Sequence, residues 1–132
     1  MDHKLKLMVV DDSPLFRTWL IRSLSADDRF QIVGYAVNAL DAQEKIPLLQ
    51  PDMLTLDIEM PGMSGIDFLK QLLPVHPIPV ILVSSLNLRV FDALEAGAVD
   101  FVRKPDEANG LSKEIFLSML RSKLLVAAAS HV

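Results

Sequence analysis

Apolar positions along the chain alternate between two kinds of pattern. Leu5 to Val10 is a short, nearly unbroken apolar run, which suits a strand buried on both faces of a parallel sheet. Ser13-Pro14 follows as a helix-start signal, with Ser able to cap and Pro fitted to the first helical position. Phe16, Leu20 and Leu24 then recur every four residues, the spacing of one helix face. Asp27 to Arg29 breaks that pattern. Phe30 to Val37 reads as a second strand, and Asn38 can cap a helix from Ala39 to about Leu49, with a kink or early end expected at Pro47. Met53 to Asp57 reads as the third strand. The turn cluster 61–65 leads into a helix with Ile66, Leu69 and Leu73 on one face. After three prolines comes Val80 to Val83, the purest apolar run and a fourth strand. Leu88 to Ala96 reads as a short helix stopped by Gly97, which suits the left-handed position after a helix end. Val99 to Val102 is the fifth strand. Leu111 to about Ala128 is the last helix, with Leu111, Ile115 and Met119 on one face and Phe116, Leu120 and Leu124 beside it.

Five strands alternating with five helices imply an α/β fold, a parallel sheet covered on both faces by right-handed crossovers. In such folds ligands bind at the carboxyl ends of the strands, where the strand order reverses. The residues at those ends therefore decide the chemistry. The first strand ends in Asp11-Asp12, the third in Asp57 and the fourth in Ser84-Ser85, and the fifth is followed by Lys104-Pro105. Converging carboxylates repel unless a cation or proton intervenes, and hard oxygen donors of this kind suit Mg²⁺. A carboxylate can also act as a nucleophile and form an aspartyl phosphate. A lysine and a hydroxyl can then bind the phosphoryl oxygens. The set holds every part needed for phosphoryl transfer to an Asp.

The runs that carry these residues are Val9-Val10-Asp11-Asp12-Ser13, then Leu54-Thr55-Leu56-Asp57-Ile58-Glu59-Met60-Pro61-Gly62-Met63-Ser64-Gly65, then Val83-Ser84-Ser85, then Gly97-Ala98-Val99-Asp100-Phe101-Val102-Arg103-Lys104-Pro105. Together they resemble the receiver domain of bacterial two-component response regulators, over about Lys6 to Leu124. The resemblance is most specific to the regulatory domain of the chemotaxis protein-glutamate methylesterase. It implies a doubly wound, flavodoxin-like (βα)5 receiver with strand order 2-1-3-4-5, spanning residues 5–125. The residues from Val126 to Val132 are small and lack a capping signal after a helical pattern, so they read as the start of a linker or tail. The resemblance implies Mg²⁺ held by Asp12 and Asp57 directly, by Asp11 mainly through water, and by the backbone carbonyl of Glu59. It implies Asp57 as phosphoacceptor, Lys104 as the phosphate-binding lysine ahead of a cis Lys104–Pro105 bond, and Ser84 as the switch hydroxyl, with Ser85 as a substitute. Phe101 is then a rotating aromatic switch or a core aromatic. The partners implied are a histidine kinase as phosphodonor and a C-terminal output domain or a downstream signalling protein. A homodimer through the fourth helix, fifth strand and fifth helix is a further expectation.

One departure stands out. Only the seven residues Leu86 to Asp92 separate Ser85 from the helix end at 93–97, where methylesterase receivers usually carry a longer, Gly-containing loop. The esterase machinery itself is not expected within these residues, so no stand-alone enzyme is expected in this chain, and the full-length protein is expected to be a protein-glutamate methylesterase. Two other functions fit parts of the pattern. A dehalogenase-like phosphatase also uses an aspartyl phosphate, with Glu59 loosely placed as its second acid. A receiver could also bind partners without being phosphorylated.

Composition narrows the field. The chain has 132 residues, enough for one domain, and 51% of them are apolar, which excludes disorder. It has no cysteine, hence no disulfide, thiolate zinc site or cysteine nucleophile. A net charge of −4 argues against nucleic acid as the main ligand. No run of about 18 apolar residues is present for insertion into a membrane, and the start lacks a signal-peptide pattern, so a cytoplasmic protein is expected. His3, His76 and His131 are scattered and suggest no metal set. Phe16 and Trp19 read as packing residues, and Phe116, Leu120 and Leu124 as core in preference to a partner surface.

Overall fold

A computed structural model describes residues 4–85, 89–106 and 112–130. The elements run β1 (Leu5–Val10), α1 (Pro14–Ser25), β2 (Phe30–Ala36), α2 (Ala39–Leu49) and β3 (Met53–Leu56). They continue α3 (Gly65–Leu72), β4 (Val80–Ser84), α4 (Val90–Glu95), β5 (Asp100–Arg103) and α5 (Lys113–Ser130). The strands pair in parallel as one sheet of order β2-β1-β3-β4-β5, as the resemblance implied. The order reverses between β1 and β3, so their carboxyl ends frame the crevice where such folds bind ligands.

Alternate residues of each strand serve two separate cores. Met8, Val10, Leu54, Leu56, Val80 and Leu82 pack with α2, α3 and α4 on one face. Leu7, Val9, Met53, Ile81, Val83 and Val102 pack with α1 and α5 on the other. This two-sided burial is why the strands read as continuous apolar runs.

The helix starts follow the sequence in part. Asn38 caps α2, accepting from the Asp41 amide at 2.8 Å, and Ser64 caps α3, accepting from the Asp67 amide at 3.2 Å. Ser13 makes no side-chain cap to α1, contrary to expectation. Its amide instead donates to Asp11 Oδ1 at 2.8 Å, so the preceding acid organises the turn. Pro47 does not end α2 early. The helix runs on to Leu49 and closes through Gln50 in the left-handed region, φ 49°. Being so near the end, Pro47 removes one hydrogen bond without stopping the chain. Gly97 has the positive φ expected of it, 117°.

One apolar face falls differently from the sequence pattern. On α5 the buried stripe is Phe116, Leu120, Leu124 and Ala127, while Ile115 and Met119 are exposed. Both stripes have helical period, and only contact with the sheet chooses between them. α5 also continues to Ser130, so residues 126–130, expected as linker or tail, are helical. Leu111 and Leu88, the expected first residues of the last two helices, lie outside the described residues, as do His3, His131 and Val132.

Candidate phosphoacceptor site

The site forms where three strands stop. Asp11 follows β1, and its amide donates to the Ala36 carbonyl at 3.0 Å, extending the ladder by one residue. Asp57 follows β3, with its amide on the Val10 carbonyl at 3.0 Å. Lys104 follows β5, with its amide on the Ser84 carbonyl at 3.0 Å. The backbone ladder therefore fixes the base of each functional side chain. Gly65 tightens the frame further. A Cβ there would lie 2.8 Å from Ile58 Cα and 3.1 Å from the Asp57 carbonyl oxygen. Only a glycine lets α3 begin against the backbone that carries Asp57.

Lys104 Nζ lies 2.9 Å from Asp11 Oδ2 and 3.3 Å from Asp57 Oδ2. The other oxygen of each acid is held by backbone: Ser13 N–H donates to Asp11 Oδ1, and Glu59 N–H donates to Asp57 Oδ1 at 3.1 Å. Asp11 and Asp57 are buried, while Asp12 is exposed beside them. Each of the three acids offers one oxygen within 4.8 Å of the others. From Asp12 an open groove of about 390 Å³ runs over Ile58, Glu59, Met60, Pro61, Ser64 and Arg89.

Burial pushes the Asp57 carboxyl up to about 6, with Lys104 pulling it down and Asp11 adding to the rise. Burial works against the charge on Lys104, but Asp11 and Asp57 outweigh it and raise its pKa. One ammonium thus faces three carboxylates. The surplus negative charge and the all-oxygen donor set fit a hard divalent cation, which takes carboxylates, carbonyls and water.

Asp11, Asp12, Asp57 and Lys104 are brought together as the sequence suggested. Glu59 follows Asp57 closely, with its side chain exposed. Ser84 is the last residue of β4 and fully buried. By strand alternation it shares the face of Val80 and Leu82, the α2–α4 side. Phe101 is partly buried against that same core. One expectation fails: no peptide bond among the described residues is cis, so the Lys104–Pro105 bond is trans. Trans is the lower-energy form even before proline, and Lys104 reaches both acids from it.

Two residues have a part at the site that the sequence did not suggest. Arg17 Nη1 donates to the Asp11 carbonyl at 2.9 Å, bracing the strand end from α1. Phe16, read as packing, places its ring 4.5 Å from Lys104 Nζ. Their signal was position: both fall in the first turn of the helix that follows the acid pair.

The sequence pattern of the response regulator receiver domain matches residues 7–116. The chain belongs to the receiver family. The receiver is 45% identical over 130 residues to a protein-glutamate methylesterase/protein-glutamine glutaminase of Syntrophomonas wolfei, covering 98% of this chain and 38% of that one. It is 46% identical to a protein of the same description from Syntrophotalea carbinolica, over 138 aligned positions that take in the whole chain and 38% of the relative. That alignment exceeds 132 positions, so the relative carries residues this receiver lacks. The chain spans well under half the length of these relatives. Among solved structures, the response regulator domain of Thermotoga maritima CheB matches with a TM-score of 0.87 and 34% identity, over 98% of this chain and 100% of that one.

Proposed function

We propose that this receiver is the phosphoacceptor unit of a chemotaxis response regulator. In this reading a histidine kinase supplies the phosphoryl group, Mg²⁺ is required, and a methylesterase output domain is controlled. The observation that carries the reading is Asp57 itself, a buried carboxylate gathered with Asp11 and Asp12 and held on Lys104.

Asp57 is the nucleophile. A carboxyl whose pKa is near 6 is mostly ionised at neutral pH, so its oxygen can attack phosphorus. The P–N bond of a phosphohistidine breaks as the new P–O bond forms, and the leaving imidazole recovers a proton from solvent. Glu59 N–H and Lys104 fix the carboxylate, and Lys104 is placed to follow the incoming phosphoryl oxygens. Asp12 and Asp57 would hold Mg²⁺ directly, with Asp11 through water and the Glu59 carbonyl as a further donor. When bound, the ion neutralises charge on the phosphoryl oxygens. Ser84 and Phe101 are the switch pair that passes the change to the face of α4, β5 and α5.

The methylesterase activity for which the relatives are named supports a methylesterase domain following this receiver in the complete protein, which would then act in the cytoplasm. Among the described residues no helix is long and apolar enough to cross a membrane. The receiver unit is taken as residues 5–125, with the end of α5 leading into the next domain.

Mass spectrometry after incubation with acetyl phosphate and Mg²⁺ tests the reading. One added phosphoryl group on Asp57 is expected, and none in Asp57→Asn. A phosphatase would release phosphate continuously, a pure binding module would stay unmodified, and labelling of Asp57→Asn would remove Asp57 from its role.

A further inference from the structure

Lys104 has more than its two acids. Its ammonium also lies over the ring of Phe16, 4.5 Å from the centroid, the shortest such contact among the described residues. The Phe16 ring touches Trp19 at 5.7 Å and Phe116 at 5.9 Å between centroids, and Trp19 and Phe116 are themselves 5.9 Å apart. Phe116 is fully buried at the start of α5, and Lys113 of the same helix lies over Trp19 at 5.3 Å. Three rings from two helices therefore form one cluster, and its edge is the floor on which Lys104 rests.

The chemistry of the ammonium explains why this floor matters. Two directions of Nζ are taken by Asp11 and Asp57, and its side chain is 17% exposed, so little water is left to solvate the rest. A ring face carries negative quadrupole density and attracts a cation in that position, more strongly where water is excluded. A leucine of similar bulk would cover the same surface without that attraction. The lysine stem is flexible and has three rotatable donors, so its place depends on what surrounds the head.

We propose that Phe16 is a positioning residue for Lys104, its ring holding the ammonium at the acid cluster and tying it to the Trp19–Phe116 pair. This rests on the phosphoacceptor reading for its consequence. When a phosphoryl group arrives on Asp57, the ammonium turns to the new oxygens while still seated on the Phe16 ring, and the ring adjusts with it. Trp19, in contact with Phe16, then changes its surroundings.

The test compares the wild-type chain with Phe16→Leu and Phe16→Tyr, each first shown to be folded by circular dichroism. Without any ligand, the Lys104 Hε protons should be shifted upfield by the ring current in the wild type and in Phe16→Tyr, and should return to ordinary values in Phe16→Leu. With beryllofluoride and Mg²⁺ as the phosphoryl mimic, Trp19 emission should change on binding in the wild type. Phe16→Leu should bind the mimic about three- to tenfold more weakly, and Phe16→Tyr should restore the affinity. Rescue by the second aromatic separates positioning from simple loss of packing. If the wild type binds and Phe16→Leu binds equally well, or if the Lys104 protons show no ring-current shift, the positioning role is overturned alone. If the wild type does not bind the mimic, the phosphoacceptor reading fails, and the positioning role falls with it.

Discussion

The charge on Asp57 is held in place against the pull of burial. Its folded pKa of about 6 lies above the 3.8 of an ordinary aspartate, so between those pH values the folded chain binds more protons than the unfolded one. Stability from this group is therefore greatest below about pH 4, falls as pH rises to about 6, and stays reduced above that. A shift of this size corresponds to about 1–3 kcal/mol. Asp57→Asn removes the titration while Lys104 keeps Asp11, 2.9 Å away. In metal-free buffer the variant should melt at a higher temperature than wild type at pH 7.5, with a clearly smaller gain at pH 5. Equal gains at both pH values would show that the carboxylate carries no such penalty. These acids and Lys104 were legible in sequence because each lies at or just past the end of a short strand, and parallel strands bring their ends to one edge. The bond after Lys104 was not legible from its residues. The cis form came with the family resemblance, while the chain has the trans bond that an X–Pro pair prefers by default.

At the scale of elements, period identified the helices but not always their inner faces. α5 carries two apolar stripes, and the one with Ile115 and Met119 faces outward although it has the same spacing as the buried one. Helical period reports only that an apolar stripe exists, while the sheet's shape decides which stripe is covered. Ser13 shows the same limit at a helix start, since its side chain caps no amide of the first turn and its own amide donates to Asp11 Oδ1. Close backbone approach is equally hard to read. Gly65 sits in a cluster of turn residues, but its role comes from α3 pressing against the Asp57–Ile58 backbone. Gly65→Ala should lower stability by about 1–3 kcal/mol in urea denaturation, the usual cost of overpacking against atoms that cannot yield. It should also slow labelling of Asp57, because the displaced backbone carries the proposed nucleophile. Unchanged stability would mean that α3 can slide away without cost.

For the molecule as a whole, the proposed function requires that a phosphoryl group be bound and its arrival communicated. Binding is tested with the cation alone. Mg²⁺ should bind in the millimolar range, the order expected for few carboxylates plus water, with heat measurable by calorimetry. Asp12→Ala should abolish that heat, and retained binding would remove Asp12 from the ligand set. Communication is tested at Lys104. Lys104→Arg keeps the charge but replaces a compact ammonium with a wide planar fork. In hydrogen exchange with and without beryllofluoride, the wild type should change protection around β5 and α4, and the variant should respond little. Equal responses would reduce Lys104 to an electrostatic neighbour.

The two cores on either side of the sheet give the site an unusual address. Asp11, Asp57 and Lys104 continue the strand positions that face α1 and α5, while Ser84 and Phe101 belong to the positions that face α2, α3 and α4. A tightly packed sheet separates these interiors and gives their side chains little direct contact. Chemistry at the strand ends is a place where groups rooted in both can be drawn to one ligand. Substitutions in the two interiors should then be energetically independent in the resting chain and acquire a coupling energy only once the phosphoryl group links them. Information would pass between the cores because the modification creates a shared partner, with no standing wire through the sheet.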